Sequence, residues 1–250
     1  MTTSQAEYAR LSRQYQRSKG LPFRVHSEMP DHLGLVGDVR GLDVLDLACG
    51  EGFYTRRIKA AGAQRVEGVD LSSAMIDLAR EQETRDPKGI AYHVSPAQDF
   101  RADRPFDIVT AAFLLNCAPD VETLRAMAKA IADNLKPGGR FVTTNSHLCD
   151  YPGADYRPYS MVTEIPHPLS DGEPYNITFL LDGGDDFTIV NYAFSRETYE
   201  SALHDAGLSD IRWYPPTISE AGVAAFPAGY WDVYLSTPPL LRLTALKRST

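Results

Sequence analysis

Strand and helix patterns alternating along the 250 residues predict an α/β fold, a doubly wound and mostly parallel sheet of seven strands. The first observation behind this is Val44-Leu-Asp-Leu-Ala-Cys-Gly-Glu-Gly-Phe53, an apolar strand carrying one acidic residue, Asp46, that runs into a glycine turn and opens a helix. Gly50 and Gly52 let the backbone turn tightly and approach a ligand, and the first amides of the following helix are free to donate. The second is the apolar run Arg65-Val-Glu-Gly-Val69, which ends in Asp70. A Rossmann-like sheet places there, about twenty residues beyond the glycines, the carboxylate that binds a ribose diol. Together the two predict a bound nucleoside cofactor at Asp46, Gly50, Gly52 and Asp70.

The remaining elements follow in order. Phe53 to Ala61 continues as the first helix of the unit, and Ser72 caps the helix after Asp70. Ile90-Ala-Tyr-His-Val94 reads as a third strand and Asp107-Ile-Val-Thr-Ala-Ala112 as a fourth. Val121 to Leu135 has helical apolar spacing, Asp120 as its N-cap and a stop at Lys136-Pro-Gly-Gly139. Arg140-Phe-Val-Thr-Thr-Asn145 is the fifth strand. Ser195 to Ala206 is a further helix closed by Gly207, and Ile211 to Tyr214 and Leu240 to Lys247 are the last two strands. Between the fifth strand and that helix lies an insert, residues 146–194, rich in tyrosine and proline. Within it, Pro174 to Leu181 and Phe187 to Phe194 flank Asp182-Gly-Gly-Asp-Asp186, the pattern of a β-hairpin. Ligands of open α/β sheets sit beyond the carboxyl ends of the strands, so a β-hairpin inserted after the fifth strand is placed to act as a substrate cap.

Composition narrows the class. The chain carries 25 Lys and Arg against 33 Asp and Glu, a net charge of -8, so a nucleic-acid partner, which would need clustered basic residues, is not expected. No apolar run reaches the roughly 18 residues that span a bilayer, and the polar stretch from Met1 to Gly20 has the character of neither a signal peptide nor an anchor. Cys49, Cys117 and Cys149 have no paired spacing, which suits a reducing compartment, and with six scattered histidines they form no metal motif. The expectation is one cytoplasmic domain over 1–250, monomer or homodimer, with residues 1–40 as N-terminal lid helices, a small-molecule substrate, and no membrane partner.

The segment Asp46-Leu-Ala48-Cys49-Gly50-Glu-Gly52 resembles the first motif of the class I S-adenosylmethionine-dependent methyltransferases. A nicotinamide enzyme, the alternative on the same fold, would need a third glycine where this chain has Thr55, and the Asp46 carboxylate would repel a pyrophosphate. S-Adenosylmethionine has no pyrophosphate and carries two cationic centres, so the charge logic favours the methyl donor, with S-adenosylhomocysteine as product. A catalytically silent module that binds the donor is the other alternative.

The resemblance extends to Leu-Lys-Pro-Gly-Gly-Arg-Phe-Val before the fifth strand and implies further contacts. Leu71 follows the ribose carboxylate, Met75 lies against the adenine, and Ala111 belongs to the fourth strand under the site. At the end of the third strand the family often has Gly-Asp-Ala, whereas this chain has Ser95-Pro96-Ala97-Gln98-Asp99; Ala97, Gln98 or Asp99 must then serve the adenine. Tyr8 to Arg24 resembles an N-terminal lid helix in which Tyr15 covers the donor and Arg24 joins it. Leu114-Leu-Asn-Cys-Ala118 and Tyr230 to Pro239 are similar to bacterial natural-product enzymes of the toxoflavin N-methyltransferase kind. Asn116 follows the fourth strand, where this family often has a residue facing the transferred methyl. His147, just past the fifth strand, is a candidate general base. Tyr8, Tyr15, Tyr151 and Tyr175 are candidates to stack on a planar acceptor.

Overall fold

The computed structural model describes residues 12–148 and 150–249. Its strands are β1 (Asp43–Leu47), β2 (Arg65–Asp70), β3 (Ala91–Val94), β4 (Phe106–Ala112), β5 (Leu135–Ser146), β6 (Met161–Val162), β7 (Pro174–Phe179), β8 (Phe187–Tyr192), β9 (Leu208–Tyr214) and β10 (Leu240–Lys247). Seven of them form one sheet in the order β3-β2-β1-β4-β5-β10-β9, in which β10 runs antiparallel to both neighbours. The doubly wound, mostly parallel seven-stranded sheet expected from the sequence is therefore present. Strands β6, β7 and β8 form a separate antiparallel sheet of three, the hairpin of the insert with one short extra strand.

The central strands are apolar without alternation because helices cover both faces. Val44, Leu45 and Leu47 of β1 have no exposure. On one face α2 (Met29–Val36), α3 (Phe53–Ala60) and α4 (Ser73–Arg85) contribute Val36, Ile58 and Ile76 to a core with Val44 and Ile108. On the other, α5 (Val121–Asp133) and α6 (Arg196–Asp205) pack Leu124, Ile131 and Leu203 against Leu45 and Phe141. The expected caps form: Ser72 accepts from the Met75 amide and Asp120 from the Thr123 amide at 2.7 Å. The strands run longer than their patterns. β5 begins at Leu135, with the Pro-Gly-Gly stop bulging out of the register between the pairs Leu135–Phe106 and Arg140–Ile108, and β9 begins at Leu208. Two short helices that the sequence reading did not contain, α7 (Glu220–Ala225) and α8 (Asp232–Ser236), lie between β9 and β10.

The amino-terminal segment is locked down by buried charge. Residues 12–18 are helical (α1), and a π-helical turn, Arg24–Glu28, leads into α2. Arg24 and Glu28 are 2% and 1% exposed and pair at 2.5 Å, and the Tyr54 hydroxyl donates to the other Glu28 oxygen at 2.6 Å. His32 stands between the hydroxyls of Thr110 and Thr144 at 2.9 and 3.0 Å, and burial lowers its pKa to about 4. Arg242 of β10 reaches Asp31 at 3.0 Å and the Ser27 hydroxyl at 3.1 Å.

Gly52 has a structural duty that the sequence reading gave to ligand approach. It has φ +84°, and a Cβ there would overlap the hydroxyl of Tyr92, itself buried without a hydrogen-bond partner. Gly52→Ala is expected to lower stability by about 2–4 kcal/mol from backbone strain plus overpacking. Tyr92→Phe, which removes an unpaired buried hydroxyl, should leave stability unchanged or raised, and in combination should recover part of the Gly52→Ala loss. Denaturant unfolding of the three variants checks this.

Candidate functional site

A cavity of about 340 Å³ opens across the carboxyl ends of the central strands and runs beneath the three-stranded sheet. Its floor comes from Ala48 and Gly50 after β1, Val69 to Leu71 at the end of β2, Ser95 to Gln98 after β3, and Ala112 to Leu114 at the end of β4. Ser146 ends β5 and Leu148 follows it. Met161, Ile177, Phe179 and Ile189 of the small sheet form the roof, and Tyr15, Phe23 and Arg24 close one side. The position agrees with the rule that doubly wound sheets take ligands where the strand order reverses, here between β1 and β4.

Backbone strain gathers at this floor. Ala48 and Phe113, neither of them glycine, have φ of 58° and 64°, and both line the cavity. Such conformations persist where surrounding structure fixes them, and they concentrate at binding sites. Gly50 has φ +56°, and beyond its two neighbours in the chain no atom lies within 4 Å of the place its Cβ would take. The backbone is bare toward the cavity there.

Two carboxylates sit under this loop. Asp70 Oδ2 accepts from the Gly50 amide and Oδ1 from the Ser72 amide, both at 2.8 Å, so the end of β2 fixes the glycine loop of β1. Burial pushes the Asp70 carboxyl up to about 6, against the pull of those two amides. Asp46 is 1% exposed and accepts from the Thr55 hydroxyl at 2.6 Å; burial carries its pKa to about 7. Arg24 is the counterweight. Its guanidinium lies 5.2–5.3 Å from the rings of Tyr15, Phe23, Phe113 and Phe179, and burial, which alone would lower its pKa, is outweighed by the Glu28 charge, so the pKa is raised.

Of the residues expected from the sequence, the cavity brings together Tyr15, Arg24, Ala48, Gly50, Asp70, Leu71, Met75, Ala97 and Gln98. Asp46, Cys49, Gly52 and Ala111 are buried behind the wall, and Asp99 is exposed outside it. Neither Asn116 nor His147 lines the cavity. Asn116 donates to Asn191 Oδ1 at 2.8 Å, and the His147 ring meets Asp150 at 2.7 Å while burial lowers its pKa. Tyr8 lies outside the described residues. In place of the tyrosines expected to stack on the acceptor, the roof is apolar, Met161, Ile177, Phe179 and Ile189, because the tyrosines of the insert serve the core beneath the small sheet. Tyr156 and Tyr159 donate to the carbonyls of Thr237 and Tyr230, Tyr175 is 5% exposed among them, and Tyr151 is not in the lining. Sequence reasoning missed Phe113 and the roof residues. The roof's alternation in β7 and β8 was legible as strand, but which face would look down on the cavity was not.

Among the described residues no helix is long and apolar enough to cross a membrane, and no group of three or more His, Cys, Asp or Glu side chains is placed to hold a metal ion.

Comparison with known proteins agrees with this geometry. Residues 44–139, from β1 to the turn before the straight part of β5, match the model of a methyltransferase domain. N-demethylindolmycin N-methyltransferase of Streptomyces griseus is 30% identical over 169 residues, which cover 67% of this chain and 70% of that protein. The ubiquinone biosynthesis O-methyltransferase of Bordetella pertussis is 32% identical over 144 residues, and the chain spans 58% of its length. Among solved structures, CalS10, an amino pentose methyltransferase from Micromonospora echinaspora with S-adenosylmethionine bound, superposes with a TM-score of 0.60 at 23% identity, over 94% of this chain and 95% of that one.

Proposed function

This chain belongs to the S-adenosylmethionine-dependent methyltransferases, and on that premise we propose that it methylates a nitrogen or oxygen of a small ring compound, heteroaromatic or phenolic, held under the three-stranded cap. The observation that carries the reading is the clamp of Gly50 by Asp70 at the edge of the cavity: a bare backbone next to a carboxylate with lone pairs to spare. These residues fit the methyl donor. Asp70 accepts the ribose hydroxyls, Met75 and Ala97 offer apolar contact to the adenine, and Gln98 offers an amide to its edge in place of the acidic residue that Pro96 displaces. Arg24 pairs with the donor's carboxylate, and Tyr15 covers it from the side of α1.

When bound, S-adenosylmethionine supplies an electrophilic methyl with a neutral leaving group. What remains for the chain is alignment and exclusion of water. The roof of Met161, Ile177, Phe179 and Ile189 dries the acceptor side, and the rigid strand ends β4 and β5 fix its floor. A roofed cavity suits a small acceptor rather than a polymer, and the relatives that methylate N-demethylindolmycin or an amino pentose support a place in natural-product biosynthesis. We place the reaction in the cytoplasm, with the protein as monomer or homodimer and no nucleic-acid or membrane partner. Incubation of the protein with a metabolite extract and donor carrying a deuterated methyl tests the reading by mass spectrometry. Label is expected in a low-molecular-weight ring compound. Label confined to protein or RNA would overturn it.

A further inference from the structure

One hydroxyl in the cavity wall is uncommitted. Ser146, the last residue of β5, is 6% exposed and lines the cavity. The other buried serines and threonines bond within the chain. Ser18 donates to the Tyr15 carbonyl and Ser27 to Asp31, Ser72 caps α4, and Thr55 donates to Asp46. Thr143 donates to the Ala111 carbonyl, and Thr110 and Thr144 hold His32. None of these lines the cavity. Among the described residues no group of the chain bonds the Ser146 hydroxyl, and its oxygen is not sealed from solvent as the orphaned hydroxyl of Tyr92 is.

A hydroxyl that gives up water without a partner costs free energy, so a nearly buried one that opens only onto a binding cavity takes its partner from what the cavity holds. The order of the strands says which occupant that is. The residues assigned to the donor's nucleoside follow β1, β2 and β3, whereas β5 stands beyond β4 on the other side of β1. There Ser146 pairs in register with Leu240 of β10, and the wall continues through Leu148, Pro239 and Leu240 beneath the apolar roof. The two charged side chains of the lining are engaged elsewhere, Arg24 by Glu28 and Asp70 by the Gly50 and Ser72 amides. A charge brought to the end of β5 would lose its water and find no counter-ion.

We propose that Ser146 binds and orients the methyl acceptor through one hydrogen bond to a ring nitrogen, a ring N–H or an oxygen, and that the acceptor enters uncharged and otherwise apolar. The proposal rests on the reading of the cavity as a methyltransferase site and names what its acceptor half selects. A hydroxyl donates or accepts, so either sense of bond serves. Because β5 is held between β4 and β10, the hydroxyl is fixed relative to the floor of the site, and the bond would set the angle at which the ring meets the donor.

Calorimetry of the full-length protein, saturated with S-adenosylhomocysteine, tests this with quinoline, indole, naphthalene and 2-naphthoate, flat probes that differ in the polar group they carry. Ser146→Ala is expected to weaken quinoline or indole by about fivefold or more and to leave naphthalene and S-adenosylhomocysteine unchanged. In wild type, 2-naphthoate is expected to bind at least about tenfold more weakly than naphthalene. Unchanged affinity of both quinoline and indole in the variant overturns the proposal, as a water satisfying the hydroxyl would give, and so does 2-naphthoate matching naphthalene. So does failure of every probe to bind. A variant that loses affinity for S-adenosylhomocysteine would assign the hydroxyl to the donor and overturn the proposal as well. Alanine removes a hydroxyl that nothing in the chain bonds, so denaturant unfolding should find the variant as stable as wild type or more so; a loss of stability would place the bond within the chain and also overturn it. Failure of S-adenosylhomocysteine to bind wild type would count against the methyltransferase reading instead.

Discussion

Glu28→Ala is expected to lower stability by about 3–5 kcal/mol, the cost of leaving a buried partner charge alone. The side chain is 1% exposed and serves both Arg24 and the Tyr54 hydroxyl, so alanine strands a guanidinium and a phenol at once. Donor affinity should fall with it, because Arg24 then has no fixed orientation at the cavity. Replacing both partners by apolar groups, Arg24→Met with Glu28→Leu, should recover most of the stability but not the affinity, which separates the two roles. The pH dependence has a definite sign. Burial alone would raise the Glu28 carboxyl, but the charges of Arg24 and Lys19 and the hydrogen bonds from Tyr54 and Arg24 hold it below its ordinary value of 4.5. Its contribution is therefore complete above that value and lost as pH falls through the lower folded value. Unfolding free energy of wild type should drop on acidification in that window, and that component should vanish in Glu28→Ala.

Asp70→Ala is expected to weaken binding of S-adenosylmethionine and S-adenosylhomocysteine by roughly 100-fold or more, about 3 kcal/mol, the scale of two hydrogen bonds to a charged acceptor. It also frees the Gly50 and Ser72 amides, so the loop that faces the cavity loses its tie to β2. Asp70→Asn keeps one carbonyl oxygen and should lose less. Since burial lifts Asp70 to about 6, wild-type affinity should rise about tenfold between pH ~5 and ~8 as the carboxylate that accepts the ribose hydroxyls ionises. In the free protein the sign is the opposite. A raised folded pKa means stability is lost as pH climbs from the ordinary 3.8 through about 6. Calorimetry across that range in two buffers of different ionisation heat reads the proton release on binding; no release and a flat affinity would remove Asp70 from the donor's surroundings.

Much of this was legible in the chain because the signals are local. Glycines after an apolar strand, a carboxylate at the end of the next strand, Ser72 and Asp120 before helical spacing, and Gly207 after it are each decided within a few residues. Hence β1 to β4 stood where expected, and nine of the residues singled out as cofactor contacts line the cavity, while the bond from the Gly50 amide to Asp70 was not foreseen. Long-range features did not show. Arg24, Glu28 and Tyr54 meet across the fold, and nothing in the run from Leu21 to Met29 marks two of its charges as buried. Tyrosine content suggested a stacking wall, but whether a tyrosine faces a cavity or its own sheet depends on where its hydroxyl finds a carbonyl. For Tyr156 and Tyr159 those carbonyls lie 81 and 71 residues away. Gly52 was read correctly as a required glycine for an incomplete reason, since Tyr92 arrives from β3.

Hydrogen–deuterium exchange of the full-length protein, with and without S-adenosylhomocysteine, tests most directly the claim that the donor binds along the Gly50 loop and Asp70. Protection is expected in the segments 46–55, 69–76 and 95–98, and in 12–24 where Tyr15 and Arg24 close on the donor, with little change at β9. Binding that leaves the exchange of 46–55 and 69–76 unaltered, or that protects a different edge of the sheet, would contradict the account.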